Sequence, residues 1–276
     1  MLPIISAKAS EPESFELPRT EVIPIQDTQS NKQYELYIKL PEGYEKNSDK
    51  KYPVIYFTDA VWHIEMLSAA TASLMEEVIL VGISWQKDIN EDLKREHGAH
   101  VSRFRDYSIS KSSDPERQAK YKMGQASNHL DFIRNDVIKS IEKNYRTDTK
   151  RRTYFGYSAG GLFGIYTLMA QPDTFNNYIL GSPSLWRDIP LLSELGSHTA
   201  STGNDLNANV FISYGTLEQK LGVHIKEFTT LLKSRNDKSL NLKDVIVEGN
   251  HQTAFPLTGV LGVTWLSNLT RDKDKS

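Results

Sequence analysis

Apolar positions along the chain follow two rhythms. Glu21 to Gln26 and Tyr34 to Leu40 alternate with the period of half-buried strands, and the polar stretch Asp27 to Lys32 between them is turn-forming. The pattern predicts an antiparallel hairpin, ended by Pro41-Glu42-Gly43-Tyr44. Tyr52 to Phe57 and Val78 to Trp85 are instead continuous apolar runs, as in strands covered on both faces, with a helical spacing from Trp62 to Glu77 between them. Strand, helix and strand in that order form the repeating unit of a parallel sheet.

Further on, Ser127 to Tyr145 has apolar residues at helical spacing, Arg146 to Arg151 is a short solvated connection, and Thr153-Tyr154-Phe155 suits a buried strand. Leu162 to Ala170 forms the next helix. Phe175 to Leu180, Val210 to Tyr214 and Asp244 to Val247 are strands, and Val223 to Leu232 and Val260 to Leu266 are helices. The expectation is an α/β fold with a mostly parallel central sheet, an N-terminal antiparallel hairpin and helices on both faces. It forms one domain over residues 20–268, with residues 1–19 a disordered tail or signal remnant and 269–276 a charged tail. Residues 86–126 show no sustained period and read as an irregular cap loop. Connections beyond ~15 residues in compact domains are usually functional or disordered.

Composition narrows the chemistry. A net charge of −2 with mixed signs gives no electrostatic footprint for nucleic acid or an anionic membrane. No apolar run approaches the ~20 residues of a membrane span, so a soluble protein, cytoplasmic or periplasmic, is expected. The absence of cysteine excludes disulfides, thiolate metal sites and a cysteine nucleophile.

The candidate site begins at Gly156-Tyr157-Ser158-Ala159-Gly160-Gly161, between the Thr153 strand and the Leu162 helix. Small residues around Ser158 let the backbone fold sharply enough to lift its hydroxyl clear of the sheet, as the Gly-x-Ser-x-Gly nucleophile elbow requires. A serine hydroxyl needs a base to take its proton, and the base needs an acid to fix its tautomer. Ser, acid, His is the α/β-hydrolase order. His63, His97, His100 and His129 precede the elbow and break it. Of those that follow, His198 lies in a polar loop and His224 within a helix, whereas His251 comes directly after the last strand. Glu218 holds the matching place after the penultimate strand, where the alternative is an exposed carboxylate beside Lys220. For the oxyanion hole, the elbow geometry supplies the N–H of Ala159. The turn after the Val54 strand supplies a second donor at Asp59 or Ala60, the Asp59 side chain then only capping the turn. In the loop, Arg103-Phe104-Arg105-Asp106-Tyr107 offers either an internal Arg/Asp salt bridge or a substrate contact. Tyr157 and Trp186 are further candidates for substrate contact.

These motifs together resemble the family of esterases that includes esterase D-like enzymes and the siderophore esterases acting on enterobactin and salmochelin. The likeness spans about Tyr34 to Trp265. It rests on Tyr52-Pro53-Val54-Ile55-Tyr56 leading to Asp59, Val81-Gly82-Ile83, Arg103 with Asp106-Tyr107, the elbow, Ser182-Pro183-Ser184-Leu185-Trp186, and His251 near Phe255-Pro256. The resemblance implies Ser158 as nucleophile, His251 as base and Arg103 as a residue that helps hold substrate. Where many relatives have Asp-Gly this chain has Asp59-Ala60. Its acid is not uniform among members, and its substrates range from siderophore trilactones to thioesters, feruloyl esters and acyl transfer to sugars. The function expected is hydrolysis of a small-molecule carboxylic ester through an acyl-enzyme, with no metal or organic cofactor. The alternatives are an acyltransferase, or a binding protein on the same fold.

Overall fold

The computed structural model describes residues 16–46, 48–201 and 205–273, with the backbone alone given for 197–201 and 272–273. Most of the expected N-terminal tail lies outside the described residues. Eight strands form one sheet: β1 (Thr20–Gln26), β2 (Gln33–Lys39), β3 (Tyr52–Thr58), β4 (Ile79–Ile83), β5 (Thr147–Tyr157), β6 (Asn177–Gly181), β7 (Asn209–Gly215) and β8 (Asn241–Val247). Their order is β1-β2-β4-β3-β5-β6-β7-β8, with β1, β2 and β4 paired antiparallel and the rest parallel. The expected hairpin is therefore β1-β2, and the continuous apolar runs are the central parallel strands.

Period-two alternation sends neighbouring side chains of one strand into opposite cores. Val54 and Tyr56 of β3, Tyr154 of β5, Tyr178 and Leu180 of β6, and Val210 and Ile212 of β7 enter one core. Helices α5 (Ala126–Phe132), α6 (Lys139–Asn144), α7 (Ala159–Ala170), α8 (Ile189–Ser201) and α9 (Gln219–Ser234) lie on that face. Ile55, Phe57, Phe155, Ile179 and Phe211 enter the second, under α1 (Ala60–Leu74) and α10 (Ala254–Lys273). A π-helical turn, Ile133–Ile138, joins α5 to α6 and buries Ile133, Val137 and Ile138.

Several expected boundaries move. Residues 146–151 are not a free connection, because β5 begins at Thr147 and pairs there with Tyr52. The stretch 86–126 is not irregular throughout. It carries α2 (Glu91–His97), a 3-10 turn (Ala99–Ser102), α3 (Arg103–Asp106) and α4 (Pro115–Tyr121), with Asn90 and Asp114 capping α2 and α4 through their side chains. Neither α2 nor α4 buries a residue fully, so neither leaves an apolar stripe to read. The polar stretch after Trp186 contains α8, which takes in His198. Helix α10 starts well before Val260, because Pro256 in its first turn is tolerated there, and it extends into the expected charged tail. No helix among the described residues is long and apolar enough to cross a membrane.

Two of the early histidines, His63 and His129, are buried in the fold. His63 of α1 is 4% exposed, stacked on Phe255 at 4.9 Å and edge-on to Phe155 at 5.4 Å. Burial lowers its pKa from 6.5 to about 4. The unfolded chain thus takes up a proton in that window which the native protein refuses, so unfolding free energy falls as pH falls from 6.5 to about 4. At ~1.4 kcal/mol per pH unit, His63 contributes a loss of about 3 kcal/mol. Buried His129 acts in the same direction. Urea unfolding at pH 7 and pH 4 should therefore show a smaller acid loss in His63→Phe than in wild type, and equal losses would contradict this account.

Candidate active site

The turn from β5 into α7 is tight. Ser158 has φ 57° and ψ −117°, in the positive-φ range that costs a residue with a Cβ about 1–3 kcal/mol and marks functional turns. A Cβ on Gly156 would lie 2.3 Å from the carbonyl oxygen of Gly160, so the elbow closes only over glycine. The Tyr154 hydroxyl fixes that carbonyl by donating to it at 2.8 Å and lies 3.2 Å from Thr58 Oγ1, tying the first turn of α7 to the end of β3. Ser158 Oγ lies 3.2 Å from Ser184 Oγ, and Ser184 N–H donates to the Ser158 carbonyl at 3.1 Å.

His251 sits in the turn between β8 and α10, and its Nδ1 is 2.6 Å from Glu218 Oε1. Facing a carboxylate, Nδ1 is the protonated nitrogen, which leaves Nε2 with its lone pair free to accept a proton. Glu218 precedes α9 and its side chain is 8% exposed. Its other oxygen, Oε2, accepts from Ser182 Oγ at 2.6 Å and from Gly215 N–H at 2.7 Å. The carboxylate is thus a fixed, buried group and not the exposed loop acid of the alternative reading.

Tyr157, expected at the substrate, is buried beneath the site. Its hydroxyl donates to the His251 carbonyl at 2.7 Å and lies 3.0 Å from Ser182 Oγ, and its ring is tilted against the imidazole at 5.3 Å. Burial pushes its phenol up to about 12, so it stays neutral. As the last residue of β5 it points into the fold, and it orients the histidine turn. Trp186 is half-exposed and, with Ser158, Ser184, Leu217, Lys220 and His251, lines an open cavity of about 630 Å³. His224 of α9 stands edge-on to Trp186 at 6.0 Å.

Asp59 adopts a left-handed conformation, φ 58° and ψ 46°, and is fully buried. Its side chain does not cap α1, contrary to expectation. Oδ1 accepts from Arg103 Nε and Trp85 Nε1, each at 2.6 Å, and Oδ2 from Arg103 Nη2 at 3.0 Å. Arg103 does not pair with Asp106, which is held by Arg105 at 2.7 Å. Ala60 and Ala159 are the first residues of α1 and α7, so by helix geometry their N–H groups have no intrahelical acceptor and are available to an anion. Sequence reasoning missed Ser182, Ser184 and Trp85. The small-residue run at the end of β6 pointed to the first two, and nothing local pointed to Trp85.

An α/β sheet with a serine elbow, followed in chain order by a buried acid paired to a histidine, defines a serine hydrolase of the α/β-hydrolase fold. The chain belongs to the esterase family described as "Putative esterase", which matches over residues 28–254, and it is a carboxylic-ester hydrolase. It is 30% identical over 213 residues to the ferri-bacillibactin esterase BesA of Bacillus subtilis (strain 168), covering 75% of this chain and 73% of that protein. Its structure is similar to the BES protein of Bacillus cereus, with a TM-score of 0.78 and 25% identity over 93% of this chain and 99% of that one. The fold is also that of an IroE-like serine hydrolase from Shewanella oneidensis, with a TM-score of 0.75 and 22% identity over 90% of this chain and 80% of that one.

Proposed function

We propose that the chain hydrolyses siderophore-type esters through an acyl-enzyme on Ser158. The Ser158 oxygen attacks the ester carbonyl while His251 Nε2 takes its proton. Glu218 holds the resulting imidazolium, and the N–H groups of Ala159 and of the Asp59–Ala60 turn receive the oxyanion. Collapse breaks the bond to the alcohol, which leaves with the proton from His251. Water then attacks the acyl-enzyme, gives its proton to His251 and releases the acid while Ser158 recovers its hydrogen.

The observation that carries the substrate class is the rim of the cavity. The half-exposed indole of Trp186 and the 71% exposed Leu217 stand with Lys220 beside Ser158 and His251, suiting a bulky ester with aromatic, anionic acyl groups. The siderophore esterase BesA among the relatives supports the same class. The test is to incubate the protein with a catecholate trilactone, iron-free and ferric, and to follow products by mass spectrometry. Stepwise addition of water to the ester ring, absent in Ser158→Ala, is expected. If neither form is opened while 4-nitrophenyl acetate is cleaved, the siderophore assignment fails and the esterase assignment stands. Transfer of the acyl group to an added alcohol in preference to water would favour the acyltransferase alternative.

A further inference from the structure

We propose that Arg103 and Asp59 form a positioning pair behind the oxyanion turn, so that Arg103 acts on the chemical step through Asp59 and does not grip the substrate. The inference rests on the reading of Ser158 as nucleophile and of the Asp59–Ala60 turn as the second oxyanion donor.

Asp59 is an unusual residue for its place. It is fully buried, it holds a left-handed conformation usually left to glycine, and its carboxylate receives three N–H donors, one from Trp85 and two from Arg103. Such a turn persists where its surroundings over-determine it. The carboxylate also lies close to the elbow helix, since a Cβ placed on Gly160 would be 3.4 Å from Asp59 Oδ2. A buried negative charge therefore belongs to the residue just before Ala60 and lies against the first turn of α7, near the N–H groups that would receive a developing oxyanion. In a water-poor site it would oppose that charge unless a cation cancelled it.

Arg103 supplies the cancellation and is built to stay. Its guanidinium carbon lies 4.9 Å from the Trp62 ring centroid and 5.5 Å from that of Tyr107, and its side chain is 16% exposed. Nε and Nη2 are both committed to Asp59 in the two-pronged geometry that lysine cannot reproduce. Trp85, adding a third donor, fixes the carboxylate from the end of β4. The Nε–Nη2 edge of the guanidinium is thus spent within the protein, on Asp59.

The pair predicts a pattern that substrate binding cannot produce. On 4-nitrophenyl acetate, small and neutral, Arg103→Ala should lower kcat by about 30-fold to 300-fold, comparable to loss of an oxyanion donor, with KM changed less than about threefold. Arg103→Lys should restore part of the loss, because it returns the charge without the fork. The double variant Asp59→Asn with Arg103→Ala should exceed Arg103→Ala in kcat by about tenfold or more, because the opposing charge is gone and asparagine tolerates the left-handed turn. Thermal unfolding of each variant checks that the fold is kept. If Arg103→Ala does not fold, Arg103→Lys and Asp59→Asn decide the matter by their kcat and KM. The proposal is overturned if Arg103 variants keep kcat on the neutral ester and raise KM only on anionic ones, or if the double variant is no faster than Arg103→Ala. Full turnover by Ser158→Ala would instead refute the nucleophile reading, a separate outcome.

Discussion

Ser158→Ala and His251→Ala should each lower kcat on a simple aryl ester by about 10⁴-fold to 10⁶-fold, and the two together should cost little more than either alone. The reason is mutual dependence. In the proposed pair the serine is not a nucleophile until Nε2 takes its proton, and the imidazole has nothing to deprotonate without the serine. Glu218→Gln should cost less, since Glu218 holds the histidine's tautomer and charge and touches no reacting atom, although it also leaves the Ser182 hydroxyl without its charged acceptor. Turnover should also fall toward acid pH, because the base must be neutral to act. Steady-state rates, backed by covalent labelling with a fluorophosphonate, check all three. Labelling of Ser158→Ala at the wild-type rate, or multiplicative losses in the double variant, would break the assigned pair.

Gly156→Ala should be the most damaging methyl group that can be added at the elbow. It would place a carbon 2.3 Å from one backbone atom of Gly160 and 2.6 Å from another, and neither can swing aside as a side chain would. The Gly160 carbonyl is held by Tyr154, which is itself packed against Phe163 and Phe175. A destabilisation of about 3 kcal/mol or more follows, a fall of roughly 6–12 °C in Tm for a domain of this size. Where the variant folds, the elbow must open and kcat should fall as well. A Tm within 2 °C of wild type would mean that the turn is softer than its contacts imply, a threshold of roughly 1 kcal/mol.

The parts of this protein that could be read from its residues are those whose cause is local. Val54 to Phe57 and Val210 to Ile212 announce themselves because a strand covered on both faces must be apolar at every position. Ser158, Glu218 and His251 were legible as polar residues directly after such strands, where an open parallel sheet gathers its ligands. The helices of 86–126 were not, because their turns are held by Asn90, Asp114 and contacts to the body of the protein more than by a buried stripe. Arg103 illustrates the limit most sharply. Its aromatic, charged neighbourhood marked the segment, yet the partner that defines its role, Asp59, lies 44 residues earlier. Tyr157 failed for a simpler reason, since adjacency to the nucleophile in sequence places a strand residue on the opposite side of the sheet.

The distribution of the site along the chain also sets when reactivity can arise. Ser158, its elbow and the Asp59–Ala60 turn are in place once α7 packs, whereas the histidine is clipped to Tyr157 from 94 residues further on, behind the edge strand β8, which pairs with β7. On the proposed roles, a polypeptide emerging from the ribosome would carry a chemically quiet serine until β8 zips onto the sheet. Turnover would then appear during refolding only after β8 has docked and carried the His251 turn to Tyr157.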